Sequence, residues 1–218
     1  YHHRRVVGDF NQQTGESAAL RVSAMNTTAD NNGAGSRIDK QGLAGSYRWG
    51  IGERDEFTAS LYRLENNNGI NYGMPWIKPT ASSTVSATTL LPVDPSNYYG
   101  MASDYNHGTA SHATLAHTHR FEGETELTTR VRRGAYTRDQ RASTIRLCQQ
   151  TTTNGITSNA GCPTTLPSLA DLSGSTQLTR GTQNKIQDLD SLYVQSDLSA
   201  KLSAWGIQHE MLSGLDVA

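Results

Sequence analysis

The histidines are the residues whose type most directly offers metal chemistry. Four of the seven lie close together in the sequence: His107, His112, His117 and His119. On a β-strand His117 and His119 would share one face, and two imidazoles placed in this way can bind one transition metal. No cysteine or carboxylate stands at a recognised zinc-ligand spacing from them, and alternate histidines also suit the rim of a sheet. We therefore predict no metal site, and the role of the four histidines stays open.

Catalytic motifs are missing from the sequence. It contains no Gly-x-Ser-x-Gly, no His-Glu-x-x-His and no glycine-rich phosphate loop before a helix. The adjacent pairs Ser103-Asp104 and Ser111-His112 are too common in a serine-rich chain to mark a nucleophile and its base. We predict that the protein is not an enzyme. Its 19 Lys and Arg nearly balance 20 Asp and Glu, so we also expect no nucleic-acid partner.

The elements that would position any site are β-strands, because apolar residues recur with a period of two. In the stretch 192–202, Leu192, Val194 and Leu198 face one way while Tyr193 and Asp197 face the other. The same pattern places Arg130 and Arg132 together on a polar face. Eight candidate strands follow from it: 2–11, 18–24, 45–52, 56–64, 112–121, 126–135, 192–202 and 207–217.

Short and long connections alternate strictly between these strands. The short ones are 12–17, 53–55, 122–125 and 204–206, and the long ones are 30–42, 66–111 and 146–185. Structureless loops of such length are unusual in a compact soluble domain. Short periplasmic turns and long extracellular loops are typical of an outer-membrane barrel, whose lumen is polar.

The composition agrees with a barrel wall. Only 38 of the 218 residues are Leu, Ile, Val or Phe, which is lean for a soluble core but sufficient for a single lipid-facing band. We predict an all-β fold, an antiparallel transmembrane β-barrel segment of about eight strands with short periplasmic turns and long extracellular loops. A soluble β-sandwich, an extracellular solenoid and a complete eight-stranded barrel are the alternatives. Since the chain begins at Tyr1 and the alternation runs to both ends, we expect it to be part of a longer protein.

Eight segments, in this order, carry a family resemblance. They are AALRVSAM (18–25), YRWGI (47–51), FTASLY (57–62), NYGMPW (71–76), NYYG (97–100), SDY (103–105), LTTRVRRGAY (127–136) and LSGLDVA (212–218). The set resembles the early barrel of TonB-dependent siderophore receptors, particularly the catecholate-type group. No single segment is specific, but the ordered set is.

The resemblance implies a barrel of about 22 strands, closed by a plug domain, that imports ferric siderophores with energy from TonB. Residues 1–218 would form part of that barrel domain, without the plug and the later strands. The implied partners are a ferric siderophore, outer-membrane lipid, and the TonB complex through the missing plug. No cofactor is implied, since iron enters only within the transported complex. A surface barrel with binding loops but no transport, adhesin-like or structural, is the alternative.

Five side chains are candidates for ligand binding under this resemblance. Tyr72, Trp76 and Tyr99 lie in a long outer loop and could stack on catechol rings, although aromatic residues also form the interfacial girdle of any such barrel. Arg130 and Arg132 would attract an anionic ferric complex if they face the lumen. The other interpretation of these arginines is solvation by lumen water or pairing with a plug.

The two cysteines, Cys148 and Cys162, both lie in the last long loop. The exported location makes a disulfide the natural interpretation. Closing this loop of about 15 residues would constrain the unfolded chain by roughly 3 kcal/mol. A reactive thiol pair is the alternative, but no Cys-x-x-Cys spacing supports it.

Overall fold

A single eight-stranded antiparallel sheet dominates the protein. The computed structural model describes residues 2–30, 35–77 and 87–218. These described residues form twelve strands: β1 (His2–Gly15), β2 (Ala18–Asp30), β3 (Arg37–Trp49), β4 (Asp55–Asn68), β5 (Trp76–Ile77), β6 (Thr89–Leu90), β7 (Tyr105–Arg120), β8 (Glu126–Leu147), β9 (Thr151–Thr153), β10 (Ile156–Ser158), β11 (Leu178–Ala204) and β12 (Ile207–Val217). A short 3-10 helix covers Leu169–Asp171. No helix in the described ranges is both long enough and apolar enough to cross a membrane.

The large sheet is a meander with the order β1-β2-β3-β4-β7-β8-β11-β12. Every neighbouring pair is antiparallel, and β1 and β12 lie at the two ends of this order. This arrangement confirms the predicted all-β fold and the eight strands.

At the end of the sheet that carries the long loops, the strands are longer than the alternation of apolar and polar residues predicts. The stretch 18–24 becomes the thirteen residues of β2, and the stretch 192–202 becomes the 27 residues of β11. The predicted loops 30–42, 66–111 and 146–185 are shortened accordingly, although residues 31–34 and 78–86 within them lie outside the described ranges. Hydrogen bonds between neighbouring backbones hold these strand extensions in the sheet. Such bonds do not require an apolar face, so the hydropathy pattern does not predict the extensions.

Register separates the side chains of the sheet into two faces. Val131 of β8 pairs with Leu115 of the neighbouring strand β7 and with Val194 of the neighbouring strand β11, so the three side chains lie on the same face. Leu61 and Leu115, on this apolar face, are 67% and 52% exposed. An apolar face exposed to this degree suits contact with lipid, while the opposite face is polar and suits a water-filled lumen.

Ion pairs tie neighbouring strands together across the polar face. Near the short-turn end, the buried carboxylate of Glu56 accepts hydrogen bonds from Arg48 and Arg120, and Arg120 also donates to Glu126. Because each partner satisfies the other, a charged side chain is accommodated between strands without being left unpaired.

The described parts of the loops have a small apolar core of their own. Ile77, Leu91 and Leu147 are buried together, with Val93, Leu172 and Leu178 packed around them. β5 pairs with β6, and β9 pairs with β10, in two small separate sheets. The loops at this end are therefore packed onto the ends of β8 and β11.

The predicted disulfide is present between Cys148 and Cys162, directly after β8. We expect thiol titration of the unreduced, denatured protein to find no free thiol from these two residues, and two thiols after reduction. Reduction should loosen the segment between them, since the crosslink removes loop entropy from the unfolded ensemble. Two titrating thiols before reduction would contradict the assignment.

Candidate ligand-binding site

Four arginines of β8 form a column on the polar face. Arg130, Arg132, Arg138 and Arg146 are separated by even numbers of residues, and β8 pairs with β11 without a register shift from Glu126 to Leu147. Their side chains therefore leave the same side of the strand. The column runs from the part of the sheet near the short turns to the long loops. Positive charge is therefore distributed along the length of this face.

A cavity of about 600 Å³ lies beside Arg130 and Arg132, in the part of the sheet nearer the short turns. We call it the lower cavity. Arg130 Nη1 donates to Asp197 Oδ2 over 3.0 Å, whereas Arg132 Nε donates to the neutral Thr114 hydroxyl over 3.0 Å. Tyr193 also lines the cavity. Arg130 thus pairs with Asp197, whereas Arg132 has no carboxylate partner among the described residues. Asp216 also lines this cavity.

A second cavity, of about 440 Å³, lies between the second long loop and the end of β8. We call it the upper cavity, because it is at the long-loop end of the sheet. Tyr72, Met74, Trp76 and Arg146 are among the residues that line it. Tyr72 and Trp76 are 54% and 49% exposed. Two open aromatic faces with a guanidinium nearby can hold a flat, anionic aromatic ligand through stacking and charge.

Local backbone chemistry fixes the segment that carries the two aromatic residues. The Gly73 amide donates to Asn71 Oδ1 over 2.8 Å, and Gly73 has φ +89°, a conformation that suits glycine. Gln140 Nε2, on the polar face of β8, donates to the Tyr72 hydroxyl over 2.8 Å. The turn and this hydrogen bond together place Tyr72 against β8.

Tyr98 joins the first two long loops. An added Cβ on Gly35 or on Gly100 would come within 2.5 Å of the Tyr98 ring, so the ring lies tightly between two glycines. The Tyr98 hydroxyl lies 3.0 Å from Asp104 Oδ2. Asp104 in turn accepts hydrogen bonds from the backbone amide and the hydroxyl of Ser143 in β8. The loops are thus attached to the sheet through half-buried polar contacts.

Both ionisable groups of this contact have displaced pKa values. Burial, together with the neighbouring Asp104 carboxylate, raises the pKa of Tyr98 from 10.0 to about 12. Burial by itself would raise the pKa of Asp104, but hydrogen bonds from Met101, Ser143 and Tyr98 outweigh it and hold that pKa below 3.8. The folded loop therefore favours a neutral tyrosine beside a charged aspartate.

We expect the attachment of these loops to weaken at both extremes of pH. Asp104 contributes its stabilisation above pH 3.8 and loses it as pH falls toward its lower folded pKa. Tyr98 contributes below pH 10.0 and loses its contribution as pH rises toward 12. A nitroxide on Cys introduced at exposed Ala102 should gain mobility in those two windows. In Asp104→Asn the acid transition should disappear, and its persistence would contradict the assignment.

The structure brings four of the five predicted ligand residues into two groups. Tyr72 and Trp76 share the upper cavity, and Arg130 and Arg132 share the lower one. Tyr99 lines neither cavity, and its carbonyl oxygen accepts a hydrogen bond from Arg180 instead.

Sequence reasoning missed two residues of the site. Arg146 falls in the predicted loop 146–185 but lies in β8, and its even spacing from Arg130 and Arg132 is the sequence signal for this position. Gln140, which positions Tyr72, has no sequence signal that would distinguish it from other polar strand residues.

The eight-stranded meander, with an exposed apolar face and a basic polar face, defines a segment of the wall of an outer-membrane β-barrel. No protein-family model matches the chain. It is similar to the catecholate siderophore receptor Fiu of Escherichia coli: 26% identity over 219 residues in strain CFT073, and 28% over 130 residues, or 57% of this chain, in strain K12. These matches cover 27% and 17% of the two relatives, so the chain spans a minor part of their length.

Solved structures show the same fold. The closed form of the ferric-catecholate import receptor Fiu from E. coli K12 has a TM-score of 0.79 at 21% identity, over 98% of this chain and 29% of that one. The siderophore receptor PiuA from Acinetobacter baumannii has a TM-score of 0.76 at 18% identity, over 98% and 28%. The sequence relatives confirm the resemblance to siderophore receptors and, together with the shared fold, the predicted outer-membrane location. These relatives are receptors, in agreement with the prediction that the chain is not an enzyme.

Proposed function

We propose that this chain is part of the barrel of a receptor that binds a ferric siderophore of the catecholate type and imports it with TonB-derived energy. The observation that carries the proposal is the upper cavity, where Tyr72 and Trp76 lie beside Arg146. Ferric catecholates are anionic complexes with flat aromatic surfaces, which is the chemistry that these three side chains can recognise.

The arginine column gives the bound complex a route into the lumen. Arg146 lies at the upper cavity and Arg132 at the lower one, on the same face of β8. An anion released from the loops would therefore meet a second cationic site below. Residues 1–218 would supply this part of the wall, and a plug domain elsewhere in the protein would engage TonB.

Ligand binding by the full-length protein tests the proposal. Titration with a ferric catecholate should quench tryptophan fluorescence, and Trp76→Phe should remove part of that quenching and weaken binding about tenfold, in the range that loss of an aromatic contact allows. Trp205→Phe is the matched control, since Trp205 is 92% exposed in the turn between β11 and β12. Equal binding of ferric hydroxamates would contradict the assignment to catecholates.

Uptake distinguishes a transporter from a surface barrel that only binds. Cells that depend on this protein should accumulate iron from a ferric catecholate, and deletion of TonB should abolish accumulation while leaving surface binding intact. Binding without uptake in TonB-containing cells would favour the alternative of a receptor or adhesin with no transport role.

A further inference from the structure

Three side chains meet on the apolar face near the short-turn end of the sheet. Asp55, the first residue of β4, lies opposite His119 of β7, and Phe57 lies opposite His117. Asp55 Oδ1 is 2.8 Å from His117 Nε2 and 2.7 Å from His119 Nδ1. Strand pairing thus adds the carboxylate that the sequence spacing of the histidines lacked.

Aromatic neighbours hold both imidazole rings in place. Phe57 stacks on His117 with ring centroids 4.4 Å apart and an interplanar angle of 10°. Phe121 meets His119 edge-on, with centroids 4.5 Å apart. Trp49 stacks on the other side of Phe57 at 5.2 Å. The two histidines are therefore packed into a row of rings, which limits the rotamers they can adopt and preorganises their nitrogen atoms.

The donor set suits a divalent transition metal. The two ring nitrogens and the carboxylate oxygen all lie within 4.8 Å of one another. Tetrahedral ligands on one zinc ion stand about 3.4 Å apart when bond lengths are near 2.1 Å, so small side-chain movements would bring the three atoms to the spacing that an ion requires. Imidazole nitrogen is a preferred ligand of Zn²⁺, Cu²⁺ and Ni²⁺, and carboxylate completes many such sites.

The three side chains are partly exposed and lie beside the short turns at the end of the sheet, where an ion can enter. The side chains of His117, His119 and Asp55 are 40%, 24% and 47% exposed. Three protein ligands with one open side leave room for water or another small ligand at the remaining positions of the metal.

We propose that Asp55, His117 and His119 form a binding site for one divalent transition metal ion. The site is separate from the iron of the proposed siderophore. Asp55 begins β4, whereas the loop that carries Tyr72 and Trp76 follows the opposite end of that strand. A bound ion would tie β4 to β7, the two strands that flank the longest loop, at the end remote from it.

Metal binding to the full-length protein, stripped with chelator, tests the proposal. Zinc titration by calorimetry should show one ion per chain that is lost in His119→Ala and weakened at least tenfold in Asp55→Asn. Cupric ion bound to the wild-type protein should give an electron paramagnetic resonance spectrum with coupling to two imidazole nitrogens, and His117→Ala should reduce this to one.

His107→Ala is the matched control, because His107 lies on the same strand but stacks on Tyr105 away from the triad. It should leave zinc affinity unchanged. Heat-modified migration in gel electrophoresis verifies that each variant retains its barrel. Zinc binding that is unchanged in His119→Ala, or absent in the wild type at millimolar zinc, overturns the proposal. Neither result bears on siderophore binding, so the two proposals fail independently.

Discussion

Gly69→Ala will detach the first two long loops from each other. An added Cβ at this position would overlap the carbonyl oxygen of Gly35 and lie 2.8 Å from its carbonyl carbon. Both atoms are backbone, so no side chain can rotate to relieve the overlap. The Gly69 amide also donates to the Arg37 carbonyl over 3.0 Å, and a shift would break that bond. We expect the local free energy of opening to fall by about 1–3 kcal/mol or more, the usual range for overpacking.

Hydrogen exchange measures this change. Peptides that cover 66–77 and 94–104 should exchange roughly 5- to 150-fold faster in Gly69→Ala, because Tyr98 reaches the carbonyl of Ile70 next to the altered residue. Gly174→Ala is the control, since a Cβ there meets nothing within 4 Å. Equal exchange in Gly69→Ala and wild type would show that the loop contacts do not depend on this close approach.

Arg132→Gln will weaken capture of an anionic ferric complex in the lower cavity. Arg132 has a neutral hydrogen-bond partner in Thr114, so its charge is available to a ligand. A hydrogen bond to a charged group contributes about 1.5–3 kcal/mol, which corresponds to roughly a 10- to 150-fold loss of affinity. Arg130→Gln should cost less, because Asp197 already neutralises Arg130. Equilibrium binding of a ferric catecholate to the full-length protein measures both changes.

Arg133→Gln provides the matched control for this prediction. Arg133 is the next residue along β8 and lies on the apolar face, opposite Ala113 and Leu192. The same charge is removed, but on the side of the wall away from the lumen. We expect ligand affinity to stay within twofold of wild type. An equal loss in Arg132→Gln and Arg133→Gln would indicate a general effect of net charge instead of a site.

The sequence predicts the strands well where one face must be apolar. The faces of 126–135 and 192–202 follow from alternation alone, because a shift of one residue would move every apolar side chain to the wrong face. The outer ends of β8 and β11 could not be predicted in this way. Most residues on both faces are polar there, and pairing depends on ladder bonds between residues such as Arg146 and Thr179 that lie far apart in the sequence.

The candidate site was also predictable only in part, because some of its contacts join residues that lie far apart in the sequence. Arg130 and Arg132 stand on a strand whose face the alternation defines. The approach of Tyr72 to Gln140 depends on a loop that folds back across 68 sequence positions, and no local pattern encodes such a contact. Asp55 likewise joins His117 and His119 only through the register between β4 and β7.

The length of the β8–β11 hairpin has a consequence for the kinetics of binding. About ten residues of a tilted strand cross the apolar band of a membrane, so most of the 27 residues of β11 stand outside it. Outside the band, β11 stays paired with β8 up to the last pair, Leu178 with Leu147. This side of the entrance is thus ordered before a ligand arrives, and binding to it loses little conformational entropy. The part of the upper cavity that β8 supplies, residues 144–147, therefore needs no ordering step during association, whereas Tyr72 and Trp76 belong to a loop outside this hairpin.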